Sequence, residues 1–178
     1  MPPSIPVRQF IHRMSTYTIS SLPRLSREEL ASLILSSSAS GLPSTNANHI
    51  SPTPQSTPPS TLAIIDVRDS DHIGGHIKGS TWVPSGSLDY KLPELLRTLQ
   101  EKETVVFHCA LSQQRGPGAA LRYLRERDAK SGKGRDGQPD TVQKVFVLEG
   151  GFTKWQEKYG EDERLTEAYQ KDIWEMGY

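Results

Sequence analysis

Short apolar runs alternate along the chain with segments whose apolar residues recur every three or four positions. Three of these runs have the length and content of buried strands and cover residues 62–67, 104–108 and 142–148. Strands that alternate with helical segments favour an α/β fold, in which a mainly parallel central sheet is flanked by helices. We therefore predict a single α/β domain built around such a sheet.

The predicted helices lie before, between and after these strands. A capping-box pattern at residues 26–29 predicts a short helix in front of the first strand. Leucines at helical spacing over residues 92–99 predict an amphipathic helix with Pro93 near its start. Further helices are predicted over residues 116–127, 152–159 and 161–176. The acidic first turn of the last one has the charge that a helix dipole favours.

Two stretches are predicted to be disordered. Residues 1–15 form an N-terminal tail, and residues 16–178 form the domain. Within the domain, residues 36–61 contain no charged residue, little apolar content and five prolines. Such a composition buries too little surface to offset the entropy lost on ordering. We therefore interpret this segment as a flexible internal loop.

The charge balance argues against several classes of partner. Lysine and arginine together number 21, as do aspartate and glutamate, so no global field attracts nucleic acid or an anionic membrane. The longest apolar runs are too short to span a bilayer. The absence of acidic residues before Glu28 is typical of a mitochondrial presequence, but three early prolines disfavour the helix that a presequence forms. We expect a monomer in the cytoplasm, the nucleus or both.

The chain has one cysteine, Cys109, which excludes an intramolecular disulfide and zinc sites with two or more thiolates. This cysteine ends a predicted strand, and five residues separate it from Arg115, which Gly-Pro and a helix follow. A loop that leads from a strand into a helix can point its N–H groups at an anion. A guanidinium there can bind two oxygens of that anion, and the same positive environment stabilises a thiolate. The pattern predicts an ionised nucleophile beside a bound tetrahedral oxyanion.

The motifs around this loop resemble those of rhodanese-like domains. Residues 65–68 (IDVR) and 75–80 (GHIKGS) are similar to a signature near the start of these domains, and residues 147–155 (VLEGGFTKW) to a downstream one. Residues 108–117 (HCALSQQRGP) resemble the catalytic loop of the M-phase-inducer phosphatases of the cell-division cycle. They resemble still more that of the small fungal and plant relatives, which include tyrosine phosphatases and eukaryotic arsenate reductases. The resemblance implies a rhodanese-like fold.

The resemblance also implies a role for each part of the loop. Cys109 is the nucleophile, Arg115 clamps the oxyanion, and Ser112 contributes a hydroxyl donor. The backbone amides that line the oxyanion cradle are those of Ala110, Leu111, Ser112, Gln113, Gln114 and Arg115. Attack on phosphorus would give a phosphocysteine intermediate that water hydrolyses.

Residues near the loop are expected to support it. The resemblance makes Asp66 and Arg68 a buried, paired scaffold, although a direct catalytic role is the alternative, and His108 lies next to Cys109. His72, His76 and His108 lack the spacing of metal ligands, so we expect hydrogen-bonding roles for them and no metal site.

The sequence departs from the M-phase inducers in two ways. Those phosphatases carry carboxylates in the loop where Ala110 and Gln114 stand here, so no general acid can be named. They also carry a second, protective cysteine where Val67 stands. Oxidised Cys109 therefore cannot form an internal disulfide and would depend on an external thiol.

Four functions remain open from the sequence. The first is a cysteine-dependent protein-tyrosine or dual-specificity phosphatase, which acts on a phosphoprotein and needs no cofactor. The second is an arsenate reductase, which would take a small oxyanion and use glutathione or glutaredoxin. A non-catalytic phospho-binding module and a sulfurtransferase are further alternatives. Sulfurtransferases of the rhodanese type resemble this chain less, because their loop is one residue shorter.

Overall fold

The computed structural model describes residues 17–39, 61–131 and 143–177. The predicted N-terminal tail and most of the predicted internal loop lie outside these ranges. The first long helix extends to Ala39, and therefore into the segment whose composition predicts a loop.

Seven strands and five α-helices make up the described part of the chain. The strands are β1 (Arg24–Leu25), β2 (Leu62–Asp66), β3 (His76–Ile77), β4 (Thr81–Trp82), β5 (Thr104–His108), β6 (Lys144–Leu148) and β7 (Thr166–Glu167). The helices are α1 (Arg27–Ala39), α2 (Leu88–Thr98), α3 (Arg115–Ser131), α4 (Gly151–Tyr159) and α5 (Lys171–Glu175). Short 3-10 helices at Ile19–Ser21 and Ser85–Ser87 precede β1 and α2.

Five strands form one sheet in the order β1-β6-β5-β2-β4, and every neighbouring pair is parallel. This arrangement confirms the predicted α/β domain with a parallel sheet. Strand β5 lies at the centre, between β2 and β6, so the residues that follow it emerge in the middle of the carboxyl edge. Ligands bind beyond this edge in open parallel sheets.

Helices cover both faces of the sheet. Phe107 of β5 packs with Leu92 of α2 in a cluster that includes residues of α3 on one face. Val106, the preceding residue, packs with Leu30 of α1 and Trp155 of α4 on the other. Successive strand residues point to opposite faces, so the apolar run of β5 is buried on both sides. This explains why the apolar run of β5 is continuous and does not alternate between apolar and polar residues.

The prediction of one helix over residues 161–176 is wrong. Residues Thr166–Glu167 form β7, which pairs antiparallel with β3, and α5 begins only at Lys171. The buried Thr166 side chain accepts a hydrogen bond from Trp155 Nε1 at 2.9 Å and donates one to Tyr159 O at 2.6 Å. These tertiary contacts outweigh the local preference for helix, because propensity is a weak prior where packing decides.

Helix α2 begins a turn earlier than predicted. Pro93 therefore lies inside the helix and not near its start. Leu88, at the first helical position, is buried in the same cluster as Leu92 and Leu95. The free energy gained by burying this extra turn offsets the loss of the helical hydrogen bond that Pro93 cannot donate.

A buried polar cluster lies beneath the carboxyl edge of the sheet. Arg68 donates to the Asp66 carboxylate from its backbone N–H at 3.0 Å, from Nε at 2.9 Å and from Nη2 at 2.7 Å, and both side chains are fully buried. Burial works to raise the pKa of Asp66, but the neighbouring His108 and Arg68 lower it by more. Burial lowers the pKa of both His108 and His72, so both rings are neutral at pH 7, and His108 carries the charge that acts on Asp66 only in more acidic solution.

The neutral buried histidines predict a loss of stability in mild acid. Their pKa values are lower in the folded protein, mainly because of burial, so the unfolded chain binds more protons below its own pKa of about 6.5. We expect the free energy of unfolding, measured by urea titration, to fall between about pH 7.5 and 5.5, by at most about 1.4 kcal/mol per pH unit for each histidine. Asp66 contributes only in stronger acid: its pKa is lowered in the folded protein, so its stabilisation is lost as the pH falls below the unfolded carboxyl value of about 4.

His108→Gln tests this origin. The variant should have a flatter pH dependence over the same interval, because it removes one of the two groups that must be protonated. A slope equal to that of the wild-type protein would refute the assignment to His108.

Candidate active site

The candidate site is the loop between β5 and α3. Cys109 follows the last residue of β5, and only 3% of it is exposed. Helix α3 begins at Arg115, one residue before the predicted start. The seven-residue segment from Cys109 to Arg115 therefore lies at the centre of the carboxyl edge of the sheet, where the sequence pattern predicts it.

The first two carbonyls of the loop are held by the N-terminus of α4. Cys109 O accepts a hydrogen bond from the Phe152 N–H at 2.9 Å, and Ala110 O accepts one from the Thr153 N–H at 3.0 Å. Gly151 lies in this contact with a φ of 59°, and a Cβ atom there would overlap both carbonyl oxygens. The approach of α4 to the loop therefore requires glycine at this position.

Two further carbonyls of the loop accept hydrogen bonds from β1 and from α3. Ser112 O accepts a hydrogen bond from Arg24 Nη1 at 3.3 Å, and Gln114 O accepts one from the Gly118 N–H at 2.8 Å. Arg24 belongs to β1, at the edge of the sheet, so it reaches the loop from outside. In the sequence this arginine counts only as one of the basic residues near the N-terminus, and no motif marks it.

These contacts determine where the loop amides point. No described peptide bond is cis, so each anchored carbonyl is opposed by the N–H of the next residue. The carbonyls of four peptides are bound outside the loop, which turns the following N–H groups away from those partners. The N–H groups concerned are those of Ala110, Leu111, Gln113 and Arg115. These four belong to the amides expected to line the cradle.

Ser112 faces Cys109 from within the loop. Its N–H donates to Cys109 Sγ at 3.2 Å, and its Oγ accepts from the Cys109 N–H at 3.4 Å. Ser112 is fully buried and has a φ of 51°, a left-handed conformation that is uncommon outside glycine. The backbone therefore directs a donor at the sulfur, while the hydroxyl expected to contact the oxyanion is engaged with the Cys109 amide.

Arg115 forms ion pairs with two aspartates that the sequence reading did not single out. Its Nη1 donates to Asp69 Oδ2 at 3.0 Å and to Asp71 Oδ1 at 2.7 Å, and its Nη2 donates to Asp71 Oδ2 at 2.5 Å. Hydrogen bonds from Arg115 lower the pKa of Asp71 to about 2. Burial works to raise the pKa of Asp69, but hydrogen bonds from Ser85 and Arg115 lower it by more. Both carboxylates are ionised at neutral pH.

The predicted scaffold residues lie behind the loop. His108 Nδ1 is 3.4 Å from Cys109 O, and the Asp66 carboxylate is 3.7 Å from His108 Nε2. The Arg68 guanidinium packs 4.1 Å from the centre of the Phe152 ring, which lies at the start of α4. The three residues therefore contact the elements that flank the loop, and their supporting role remains a prediction.

The described residues offer neither a metal-binding cluster nor a membrane-spanning helix. Within residues 17–39, 61–131 and 143–177, no three histidine, cysteine, aspartate or glutamate side chains are grouped to hold a metal ion. In the same ranges, no helix has the length and apolar content needed to cross a bilayer.

Gly151→Ala tests whether the contact with α4 shapes the loop. The new methyl group would displace the carbonyls of Cys109 and Ala110, so we expect binding of orthovanadate, measured by calorimetry, to weaken at least about tenfold. Gly79→Ala is the matched control, because Gly79 has a φ of 71° but open space around its Cβ position. It should cost about 1–2 kcal/mol of stability and leave anion binding unchanged. Equal weakening of binding in both variants would contradict the role of the contact.

Proteins with similar sequences are phosphatases and arsenate reductases. The chain is 42% identical over 123 residues to the CDC25-like phosphatase YCH1 of Saccharomyces cerevisiae, which covers 62% of this chain and 76% of that protein. It is 43% identical over 99 residues to arsenate reductase 2.2 of Oryza sativa subsp. japonica, which covers 53% of this chain and 69% of that protein.

A solved structure and a family model agree with these matches. The fold is similar to that of Ygr203w, a yeast protein tyrosine phosphatase of the rhodanese family, with a TM-score of 0.62 and 31% identity. That match covers 88% of this chain and 99% of the other. The model of the rhodanese-like domain matches residues 53–158. The chain therefore belongs to the rhodanese-like domain family, in the branch that contains Cdc25-like phosphatases and arsenate reductases.

Proposed function

We propose that the protein is a cysteine-dependent protein-tyrosine or dual-specificity phosphatase. The observation that carries this proposal is the loop around Cys109, in which four carbonyls are bound from outside the loop, the Ser112 N–H donates to Sγ, and Arg115 stands at the start of α3. Such a loop offers fixed donors to a tetrahedral dianion and to the charge that develops in its transition state.

In the proposed reaction, the Cys109 thiolate attacks the phosphorus atom of a phosphate monoester. A sulfur–phosphorus bond forms while the bond to the leaving oxygen breaks, which gives a phosphocysteine. Water then attacks phosphorus, releases inorganic phosphate and restores the thiolate. The Ser112 N–H, 3.2 Å from Sγ, stabilises the sulfur anion at the start and at the end of the cycle.

The shape of the surface supports a protein substrate. Two clefts have volumes of about 450 and 340 Å³; the first lies between α2 and α3, and the second beside α5. No residue of the Cys109 loop lines either cleft. Leu111, at the rim of the loop, is half exposed. An exposed rim of this kind supports access for phosphorylated side chains on a folded partner.

The proton of the leaving group is proposed to come from the substrate or from water. Hydrogen bonds hold the pKa of Asp71 at about 2, so this carboxyl is ionised and has no proton to donate. Asp69 is ionised for a related reason: hydrogen bonds outweigh the effect of its burial on the pKa. The two carboxylates beside Arg115 are therefore not general acids in this proposal.

Arsenate reduction is the second candidate, and the 43% identity to a rice arsenate reductase favours it. Arsenate would enter the same cradle, and the Cys109 thiolate would form a sulfur–arsenic bond while one arsenic–oxygen bond breaks and that oxygen leaves as water. An external thiol such as glutathione would then attack the Cys109 sulfur, and the electron pair of the sulfur–arsenic bond would leave with arsenic as arsenite. A second thiol, or glutaredoxin, would reduce the mixed disulfide. The single cysteine of the chain makes this external supply necessary.

Hydrolysis of an aryl phosphate under reducing conditions tests the first candidate. The wild-type protein should turn over para-nitrophenyl phosphate, and Cys109→Ser should be at least about 1,000-fold slower, because the hydroxyl is a much weaker nucleophile. Absence of turnover would refute the phosphatase proposal. An arsenate assay coupled to glutathione and glutaredoxin, and a thiosulfate assay for sulfur transfer, would then separate a reductase from a sulfurtransferase or a binding module.

If no residue of the protein donates the leaving-group proton, kcat/KM should depend on the basicity of the leaving oxygen. Without a protonated carboxyl, kcat/KM should fall by roughly 100-fold from para-nitrophenyl phosphate to phenyl phosphate, whose leaving oxygen is more basic. Initial rates on a series of substituted aryl phosphates measure this trend. A flat series would indicate that a residue of the protein donates the proton.

A further inference from the structure

We propose that Asp71, assisted by Asp69, is a positioning residue that leaves one edge of the Arg115 guanidinium free for the oxyanion. The inference rests on the proposed function, because it concerns the group that would bind the transferred phosphoryl. It gives a role to two carboxylates that lie outside the Cys109 loop and that no motif had identified.

The first argument is a count of donors. A guanidinium has five N–H groups in a fixed plane. Asp69 and Asp71 together accept both N–H groups of Nη1 and one of Nη2. The Nε–H and the second N–H of Nη2 have no partner among the described residues. These two point from the same edge of the plane, which is the fork that binds two oxygens of a phosphate.

The second argument is that the aspartates are themselves fixed. Asp69 accepts from Ser85 Oγ at 2.7 Å and from the Gly86 N–H at 3.3 Å, and its own N–H donates to Asp71 Oδ1 at 2.9 Å. The segment begins directly after Arg68, which is buried and paired with Asp66. The Asp69 and Asp71 carboxylates are therefore fixed in position and hold the Arg115 guanidinium in one orientation.

The third argument concerns charge. Two carboxylates outweigh one guanidinium, so the group as a whole does not attract an anion from a distance. The aspartates contribute through orientation, since an unrestrained arginine side chain loses rotamer entropy on binding. An interaction that is already oriented favours the transition state, whereas the negative charge of Asp71 weakens binding of the ground-state dianion.

These arguments give a specific expectation for Asp71→Asn. The variant should lower kcat at least about tenfold and change KM less than about threefold, because lost orientation affects the chemical step and lost repulsion offsets weaker binding. Asp69→Asn should have a smaller effect, since Asp69 accepts one hydrogen bond from Arg115 and keeps Ser85 as a partner. Asp89→Asn is the matched control, because Asp89 pairs with Arg122 on an exposed surface.

A double-mutant cycle with Arg115→Lys separates positioning from a structural role. If Asp71 acts through Arg115, Asp71→Asn should cause little further loss of kcat in the Arg115→Lys background. Equal losses in both backgrounds, or no loss in the wild-type background, would overturn the proposal. Thermal unfolding of each variant identifies any loss of folded protein. A second cycle combines Asp69→Asn with Arg115→Lys in the same way.

Binding of orthovanadate makes the test independent of turnover. Vanadate forms a five-coordinate adduct with a thiolate, which resembles the transition state of phosphoryl transfer. Asp71→Asn should weaken this binding at least about fivefold, and should do so only when Arg115 is present. This result without phosphatase activity would refute the proposed function and support the positioning role. Turnover combined with additive effects on binding would refute the positioning role alone.

Discussion

The buried ion pair between Asp66 and Arg68 is the constraint that links the elements around the candidate active site. Arg68 is fully buried, and its Nη2 donates to Gly75 O at 2.8 Å as well as to the Asp66 carboxylate. Trp82 Nε1 donates to Arg68 O at 2.8 Å, and the guanidinium packs on Phe152. One side chain therefore joins the end of β2, the turn before β3 and the start of α4. Removing one partner of such a pair leaves a buried charge and typically costs about 3–5 kcal/mol.

Elements on both sides of the candidate active site contact this same pair or follow directly after it in the chain. The residues that follow Arg68 carry the two carboxylates that hold Arg115, and Phe152, which packs on Arg68, binds Cys109 O through its N–H. The thiol and the guanidinium are thus positioned by elements that share one buried anchor. Preorganised donors of this kind require little rearrangement when charge develops on a substrate, which is the main source of electrostatic catalysis.

The sequence predicted the parts of this arrangement that depend on local patterns. The apolar runs of β2 and β5 and the spacing of Cys109 and Arg115 are continuous in the chain, and the structure brings them together at the sheet edge. Strands β1, β3, β4 and β7 have two residues each, which is too short for any periodicity. The helix predicted over residues 161–176 was wrong because pairing of β7 with β3 is a contact between distant segments.

The residues that hold the loop were missed for a similar physical reason. Asp69, Asp71 and Arg24 look like ordinary solvated charges in the sequence, and their partners lie 44 to 88 residues away. One signal was present: Asp69 and Asp71 lie a few residues after the end of β2, which neighbours β5, the strand that Cys109 follows. Charged residues at adjacent carboxyl edges of a parallel sheet are brought close together. The M-phase inducers, which this chain resembles, carry carboxylates within the catalytic loop. Here the two carboxylates come from the segment that follows the neighbouring strand β2.

The cradle itself cannot distinguish phosphate from arsenate, since both are tetrahedral oxyanions that would use the same amides and the same guanidinium edge. The outcome must therefore be decided after Cys109 has formed its adduct, by whether water attacks the bound atom or a thiol attacks the sulfur. The Cys109 residue is 3% exposed, and the Ser112 N–H lies 3.2 Å from Sγ, so little of the sulfur is open to an attacking thiol. Leu111 stands half exposed at the rim of the loop. This geometry is a reason for proposing hydrolysis ahead of arsenate reduction, and it makes access to the Cys109 sulfur the variable that a reductase would have to change.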